Sequence, residues 1–294
     1  MLDQLAVQPG HGYRIGQAPH TEPTALAALA LLANGHWDVA LPSLRWLADI
    51  QAADGSLGIN AAQSSPCWPT ALAILAWQAA GSLALNAPPS VRGTPFEENI
   101  RRAVSYILRS SGEALPRNAF MAHDTTLIGW SWVAETHSWV EPTAWHLLAL
   151  HASGQAGSQR FHEGVRLLMN RQLPRGGWNY GNTVVLGQEL RPHVQPTGLT
   201  VLALASAGIA AREIEKSLAY LESHLDAAAP VSLSYACMGL AAFGRLPESA
   251  DRLLEAASAT ALRRGASPLS LAMLALAASG RSNPLIAGRQ GGSA

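Results

Sequence analysis

A spaced frame of residues recurs along this chain, and it limits the fold more than any other feature. Trp46-Leu47-(x3)-Gln51-(x3)-Gly55-x-Leu57 and Leu167-Leu168-(x3)-Gln172-(x3)-Gly176-x-Trp178 follow one plan. An apolar pair ends a helix, a glutamine one turn later can bond exposed backbone there, glycines permit a turn, and a large apolar residue packs back over it. Looser copies start at Tyr106-Ile107 and Tyr220-Leu221, with Ser111 and Leu225 in the glutamine place. Repetition at this scale decides the architecture before any single segment does.

A second element keeps phase with the first. Pro23-Thr24, Pro69-Thr70, Pro142-Thr143 and Pro196-Thr197 each open an Ala/Leu-rich run, and weaker copies follow at Pro230 and Pro268. Proline preset for a first helical turn, a neighbouring hydroxyl and a terminal glycine specify both ends of a short helix. The interval from this opening to the apolar pair is 22 residues (Thr24 to Trp46), 24 (Thr143 to Leu167), 23 (Thr197 to Tyr220) and 21 (Ser232 to Leu253). Between the openings lie striped segments such as FEENIRRAVSYILRS. A helix apolar on every side must be buried, whereas a striped one faces solvent on one side. The spacing therefore predicts inner helices at 23–34, 69–80, 142–153 and 197–207, inside outer helices at 38–51, 96–109, 159–172 and 211–224. About eleven or twelve helices are expected in all.

The aromatic-Leu-(x3)-Gln-(x3)-Gly-x-Trp frame resembles the QW motif of squalene-hopene and oxidosqualene cyclases, and EPTAWHLLAL resembles their inner-helix openings. The turn in RQLPRGGWNYG is also similar to that of protein prenyltransferase beta subunits. The resemblance, to the terpenoid cyclase and protein prenyltransferase superfamily, covers residues 20 to 280. It implies an all-α fold, a single alpha/alpha toroid of two concentric helical rings spanning 1–294, with an ordered core over 20–280.

Composition fits a buried helical core, with 48% hydrophobic and 14% charged residues among 294. Twenty basic residues balance twenty acidic ones, which gives no footprint for nucleic acid. Cys67 and Cys237 stand in no paired motif. No apolar run is long enough to span a bilayer, and no leader-like stretch opens the sequence, so a cytoplasmic location is expected. The Pro-rich stretch 82–95 is expected to be a surface loop, the tail 281–294 to be disordered, and 112–141 to hold one short helix or an extended excursion.

Chemistry is expected where inner helices begin, because helix N-termini offer unsatisfied N–H groups. The residues there are His20 and Glu22, Cys67 and Trp68, His123 and Asp124, Trp139 and Glu141, and His193 and Gln195. In the squalene-hopene cyclase family an Asp-x-Asp-Asp-Thr-Ala signature occupies such an opening, and its middle carboxyl protonates an alkene. Aligned on Thr-Ala, Glu141 takes that place in Trp139-Val140-Glu141-Pro142-Thr143-Ala144, and Glu22 does so in its own repeat. The flanking aspartates are replaced by Trp139 and Pro142. Met121-Ala122-His123-Asp124-Thr125-Thr126 is a rival alignment with His123 in the acid place. The plainer reading of Glu22 and Glu141 is interaction with the helix dipole.

Trp130, Trp132, Trp139 and Trp145, with Trp68, could line an apolar cavity whose ring faces stabilise a cation, or could simply pack the irregular segment. Zinc ligands could be drawn from Cys67 with His20, His123, Asp124 or His193, but no pair has a diagnostic spacing, so neither metal nor cofactor is expected. Arg160, Arg166 and Arg171 fall on the exposed stripe of an outer helix, which argues against a diphosphate pocket. Two functions remain open. One is proton-initiated cyclisation or isomerisation of an isoprenoid, with Glu141 or the His123-Asp124 pair moving the proton. The other is a non-catalytic protein binding an isoprenoid, another apolar small molecule or a protein partner. Peripheral membrane contact is compatible with both.

Overall fold

The computed structural model describes residues 1–83, 96–117 and 121–286. The loop expected at 82–95 lies outside the described residues from 84 onward, as does the expected disordered tail from 287. Among the described residues the protein is all-α, with twelve helices and one two-stranded hairpin, Val184–Val185 against Gln188–Glu189. None of the helices is long and apolar enough to cross a membrane.

The predicted alternation of buried and striped helices is present. Thr21–Ala33 (α2), Thr70–Leu83 (α4), Val140–Ala152 (α6), Val194–Ser206 (α8), Pro230–Ala242 (α10) and Pro268–Ala278 (α12) are the apolar set. Of α2 only Glu22 escapes burial. Trp37–Asp49 (α3), Glu97–Arg109 (α5), Gln159–Asn170 (α7), Glu215–His224 (α9) and Ala250–Arg263 (α11) bury one stripe each, as Ala103, Val104 and Ile107 do for α5. A short helix, Leu2–Leu5 (α1), is not legible in the sequence, because four residues carry no periodicity.

The chain divides into two compact units. The first holds Met1–Arg109 and the stretch from Leu254, and in it α4 and α12 both pack on α2. Residues before 20, outside the expected core, belong to it: the His11 amide donates to Thr24 Oγ1 at 2.9 Å. The stretch after Gly280 also stays ordered as far as it is described, since Asn283 is fully buried and its side-chain amide donates to Leu276 O at 2.8 Å. The second unit, Ser110–Leu253, packs α8 against both α6 and α10. The approach of α8 to α10 is backbone on backbone. A Cβ on Gly198 would lie 2.5 Å from the Tyr235 carbonyl carbon, and one on Gly239 would lie 2.6 Å from Gly198 O, so both positions require glycine.

The frame proves to be a hydrogen-bonded device. Gly55 and Gly176 adopt the same left-handed backbone, with φ of 96° and 94°, and Ala52 and Leu173 close the two turns by donating to Ser56 O (2.9 Å) and Gly177 O (3.0 Å). Gln51 Nε2 donates to Gly55 O and to Asn99 O, while Gln172 Nε2 reaches Ser217 Oγ at 2.9 Å. Trp178 is fully buried over its own turn, its indole N–H donating to Leu168 O at 2.7 Å. The openings are locked in place through threonine. The hydroxyls of Thr24, Thr70, Thr143 and Thr197 each accept from the amide of an upstream residue, His11, Leu57, Trp130 and Trp178, at 2.9–3.0 Å; Thr24, Thr143 and Thr197 donate to the carbonyl of the same residue, whereas Thr70 donates to Cys67 O at 2.7 Å. Each threonine satisfies two backbone groups that burial would otherwise leave orphaned.

Candidate functional site

The threonine brackets show what the segment 112–141 is. Trp130, held by Thr143, takes the place that Trp178 takes with Thr197, so Gly129-Trp130 is the end of the frame that begins at Tyr106-Ile107. Its turn is closed at the neck by the Gly112 amide donating to Gly129 O at 2.9 Å. Residues 113–128 therefore replace the short links 53–55 and 174–176 of the other copies. No helix forms between 110 and 139 among the described residues, and Asp124 starts a turn instead, its Oδ1 accepting from Thr126 N and Thr126 Oγ1. The link between Trp178 and Thr197 is also lengthened, and carries the hairpin.

The enlarged turn is anchored from below by a stack. The Arg160 guanidinium carbon sits 4.2 Å over the Trp130 ring centroid, and Trp130 stacks on His146 with centroids 4.9 Å apart. Arg160 pairs with Glu163 at 2.6 Å and donates to Ser110 O and Gly129 O across the neck. His146, fully buried, is pushed down to about 3, by desolvation first, with the Pro142 carbonyl opposing and Arg160 adding to the shift. It is neutral at physiological pH and holds Pro142 O at 2.7 Å. Arg160 thus departs from the exposed stripe expected of it, and so does Arg171, which is only 6% exposed; Arg166 is exposed as expected.

Glu141 lies in the first turn of α6, 6% exposed. Burial raises its carboxyl above the ordinary range, opposed by one hydrogen bond, in which Gln195 Nε2 from the first turn of α8 donates to Oε1 at 2.8 Å. Tyr180 is close enough for Glu141 to contribute to raising its phenol, after burial, and the Val140 amide donates to Tyr180 O. Trp139, the N-cap residue, is partly exposed and lies 4.5 Å from His137 by ring centroids. His193, the exposed N-cap of α8, lies 5.5 Å from Tyr180.

Several residues singled out in the sequence meet in this region. Glu141 and Gln195 touch each other; Trp139 and His193 wall one cleft of about 270 Å³ with Asn179, Tyr180 and Arg191. His123 walls a neighbouring cleft of about 160 Å³ with Thr125, His137, Ser138 and Arg171. Burial, then the Arg171 and His137 charges, depress His123 to about 4, so it too is neutral. Asp124 faces outward, held low by the hydrogen bonds from Thr126. Trp132 is partly exposed, and Trp145 is buried edge-on to Tyr235 at 6.1 Å. Glu22 and Trp68 belong to the first unit. Glu22 accepts from Tyr13 Oη, whose ring packs on His20, and Trp68 is buried ahead of α4. Cys67 donates to Ser64 O. Among the described residues no three His, Cys, Asp or Glu side chains converge as a metal would need.

Asn179, Tyr180 and His146 are not legible as site residues in the sequence. The first two follow a structural tryptophan in an Asn-Tyr-Gly turn that looks like punctuation, and His146 sits mid-run in an apolar helix, where a core role is the ordinary expectation.

No protein-family model matches the chain, and no curated protein sequence does. Solved structures do. A single-substitution variant of type II terpene cyclase MstE from Scytonema, in complex with its substrate geranylgeranyl dihydroxybenzoate, is 16% identical with a TM-score of 0.59, over 98% of each chain. The apo form of MstE gives 14% and 0.56, over 98% of this chain and 96% of that one. A protein from Actinoplanes gives 14% and 0.57, over 96% and 98%. This chain therefore has the fold of a type II terpene cyclase.

Proposed function

We propose that the protein binds an isoprenoid at the opening of α6 and initiates its cyclisation or isomerisation by proton transfer from Glu141. The observation that carries this reading is the buried carboxyl of Glu141, which desolvation pushes toward its protonated form in the first turn of an inner helix, in a fold shared with a type II terpene cyclase. The donor must hold its proton until substrate excludes water, and burial favours that. In the proposed step the Glu141 O–H bond breaks, its proton joins one alkene carbon, and the π pair forms the new C–H bond. The carboxylate left behind is opposite in charge to the carbocation. Gln195 positions the carboxyl, and Trp139, with Trp132 as a further aromatic candidate, would offer ring faces to the cation; Trp130, covered by Arg160 and His146, and the fully buried Trp145 serve the core, and Trp68 belongs to the first unit. Neutral His123 is the proposed proton acceptor at termination, Asp124 shapes its loop, and His193 is assigned to ligand binding, whereas Glu22 lies in the first unit and accepts from Tyr13. The chain is proposed to act as a single domain in the cytoplasm, with peripheral membrane contact to collect an apolar ligand.

A specific observation favours a second reading, a non-catalytic binder of an apolar ligand or protein partner. Trp139 and Pro142 supply no carboxylate beside Glu141, and burial that retains its proton also makes it a weaker acid. One experiment separates the two. Glu141→Gln keeps the shape and can still accept from Gln195, so binding of a C15 to C30 polyprenyl substrate should persist while turnover falls at least ~100-fold. Unchanged turnover would remove Glu141 as the acid. Wild-type protein that binds the polyprenyl but yields no product would support the binder, and absence of binding would defeat the isoprenoid in both readings, leaving only a different apolar ligand or a protein partner.

A further inference from the structure

The cleft lined by Glu113, Leu115, His123, Thr125 and Leu127 has a composition that the cyclisation chemistry does not use. Arg171 is among its lining residues. Its side chain is 6% exposed, yet no carboxylate lies within ion-pair distance among the described residues, whereas the similarly enclosed Arg160 is paired with Glu163. Arg171 Nη1 donates to two neutral acceptors, Asp124 O at 3.0 Å and Asn170 Oδ1 at 2.7 Å. Among the described residues Nε and Nη2 have no hydrogen-bond partner, and neither is sealed from solvent. Burial lowers the Arg171 guanidinium to about 10, opposed by the more distant charge of Asp124; a guanidinium this far out of water with no direct ion-pair partner is costly, and an anion that completes the site reduces that cost.

The rest of the wall agrees. His123 and His137 flank the guanidinium, Thr125 and Ser138 bring hydroxyls, and Glu113, exposed at the rim, is the single carboxylate among the described lining residues. Behind the wall of the adjoining 270 Å³ cleft, which shares Gly181 and Asn182, Asn179 is 6% exposed and its Nδ2, sealed from solvent, has no partner among the described residues. The orientation of that amide is fixed, because Oδ1 accepts from Gly181 N at 2.9 Å. Arg191 adds a cation to the same wall. A cleft of about 160 Å³ is well below the ~300–1,000 Å³ that a drug-sized ligand fills, so it suits a head group rather than a polyprenyl chain.

We propose that this cleft is an oxyanion subsite in which the fork of Arg171 takes a carboxylate or phosphate group at the head of the ligand. The assignment of a polyprenyl tail to that ligand rests on the function proposed above; the head-group site itself does not. Bidentate pairing of a planar guanidinium with either oxyanion supplies two charge-assisted hydrogen bonds, and the enclosed wall limits screening by water.

Binding of farnesyl diphosphate, farnesol and inorganic pyrophosphate to the full chain tests this. The wild type should bind the diphosphate at least ~10-fold more tightly than the alcohol, and pyrophosphate should raise its melting temperature. Arg171→Met, which keeps length and removes charge, should abolish both differences, and Arg171→Lys should retain part of the preference. Glu113→Gln should tighten pyrophosphate binding about 2- to 5-fold by removing the opposing charge, and it keeps the proposal testable should the Arg171 variants fail to fold. Equal affinity for diphosphate and alcohol in the wild type would overturn the oxyanion subsite while leaving the isoprenoid reading intact, as would unchanged pyrophosphate binding in Glu113→Gln. Arg171-dependent pyrophosphate binding with no affinity for either farnesyl compound would uphold the subsite for a soluble oxyanion and sink the isoprenoid tail.

Discussion

The turn at Gln172 and the turn at Ser111 are two versions of one structure, and the difference between them is where the candidate chemistry lies. The first runs from Gln172 to Trp178 and is closed, with its key residues serving the fold: a left-handed glycine, a glutamine on Ser217, and a tryptophan sealed over Leu168. The second keeps the neck bond between Gly112 and Gly129 and the threonine bracket on Trp130, but admits residues 113–128 between them. The open turn contributes a buried histidine and part of the wall in which Arg171 has no ion pair among the described residues. A repeat protein can thus gain a site by lengthening one turn while the hydrogen bonds that define the repeat stay in place.

The largest expected effect tests whether the two tryptophans are equivalent. Trp178→Ala should cost about 3–5 kcal/mol in denaturant unfolding, and Trp130→Ala a similar amount, since both are buried over a turn. A loss below about 1 kcal/mol at either would show that the frame does not stabilise the fold there. Next come the brackets. Thr197→Val and Thr143→Val each strip an amide and a carbonyl of a hydroxyl partner, and each should cost about 1–3 kcal/mol. A markedly smaller cost at Thr143 would mean that the open turn has loosened its bracket.

A smaller effect separates the two turns by pH. His146, beneath Trp130, has a folded pKa of about 3 against 6.5 unfolded, so on acidification the unfolded chain takes up a proton that the native one refuses. Its contribution to stability is full above about pH 6.5 and lost as pH falls from there toward 3, by about 1 kcal/mol between pH 7 and 5.5. His11 and His123 are depressed in the same direction. Urea midpoints across this range should decline more gently in His146→Gln than in the wild type; parallel declines would contradict the burial argument. Glu141 runs the opposite way. Its raised folded pKa means that stability is greatest below the unfolded value near 4.5 and falls as pH rises, so Glu141→Gln should be as stable as the wild type or more so at pH 7. The smallest effects concern the glutamine place: Gln51→Ala, losing bonds to Gly55 and Asn99, should cost about 1 kcal/mol or more, Gln172→Ala less, and Ser111→Ala within about 0.5 kcal/mol.

Much of the fold was legible because it is periodic. The inner helices expected at 142–153 and 197–207 are found at Val140–Ala152 and Val194–Ser206, displaced by two or three residues because the turn before each proline is already helical. Of the candidate site, Glu141 was legible from its place before Pro142-Thr143. Its partner Gln195 was visible only as a polar residue at the corresponding place in the next opening. Arg171 is not on the exposed stripe expected of it, because helical periodicity stops applying at the last turn, where the chain of α7 ends and the Asp124 turn covers it.

By itself the sequence determined the repeat, the helix ends and which helices are buried, since these depend on local spacing, capping and the cost of exposing apolar surface. Tertiary structure decided which threonine holds which tryptophan, that Asp124 starts a turn rather than a helix, and that the Glu141 carboxyl is pushed toward its protonated form while Arg171 is enclosed. Those properties depend on what surrounds each polar group after folding, and a desolvation cost has no value until residues distant in the chain have displaced the water.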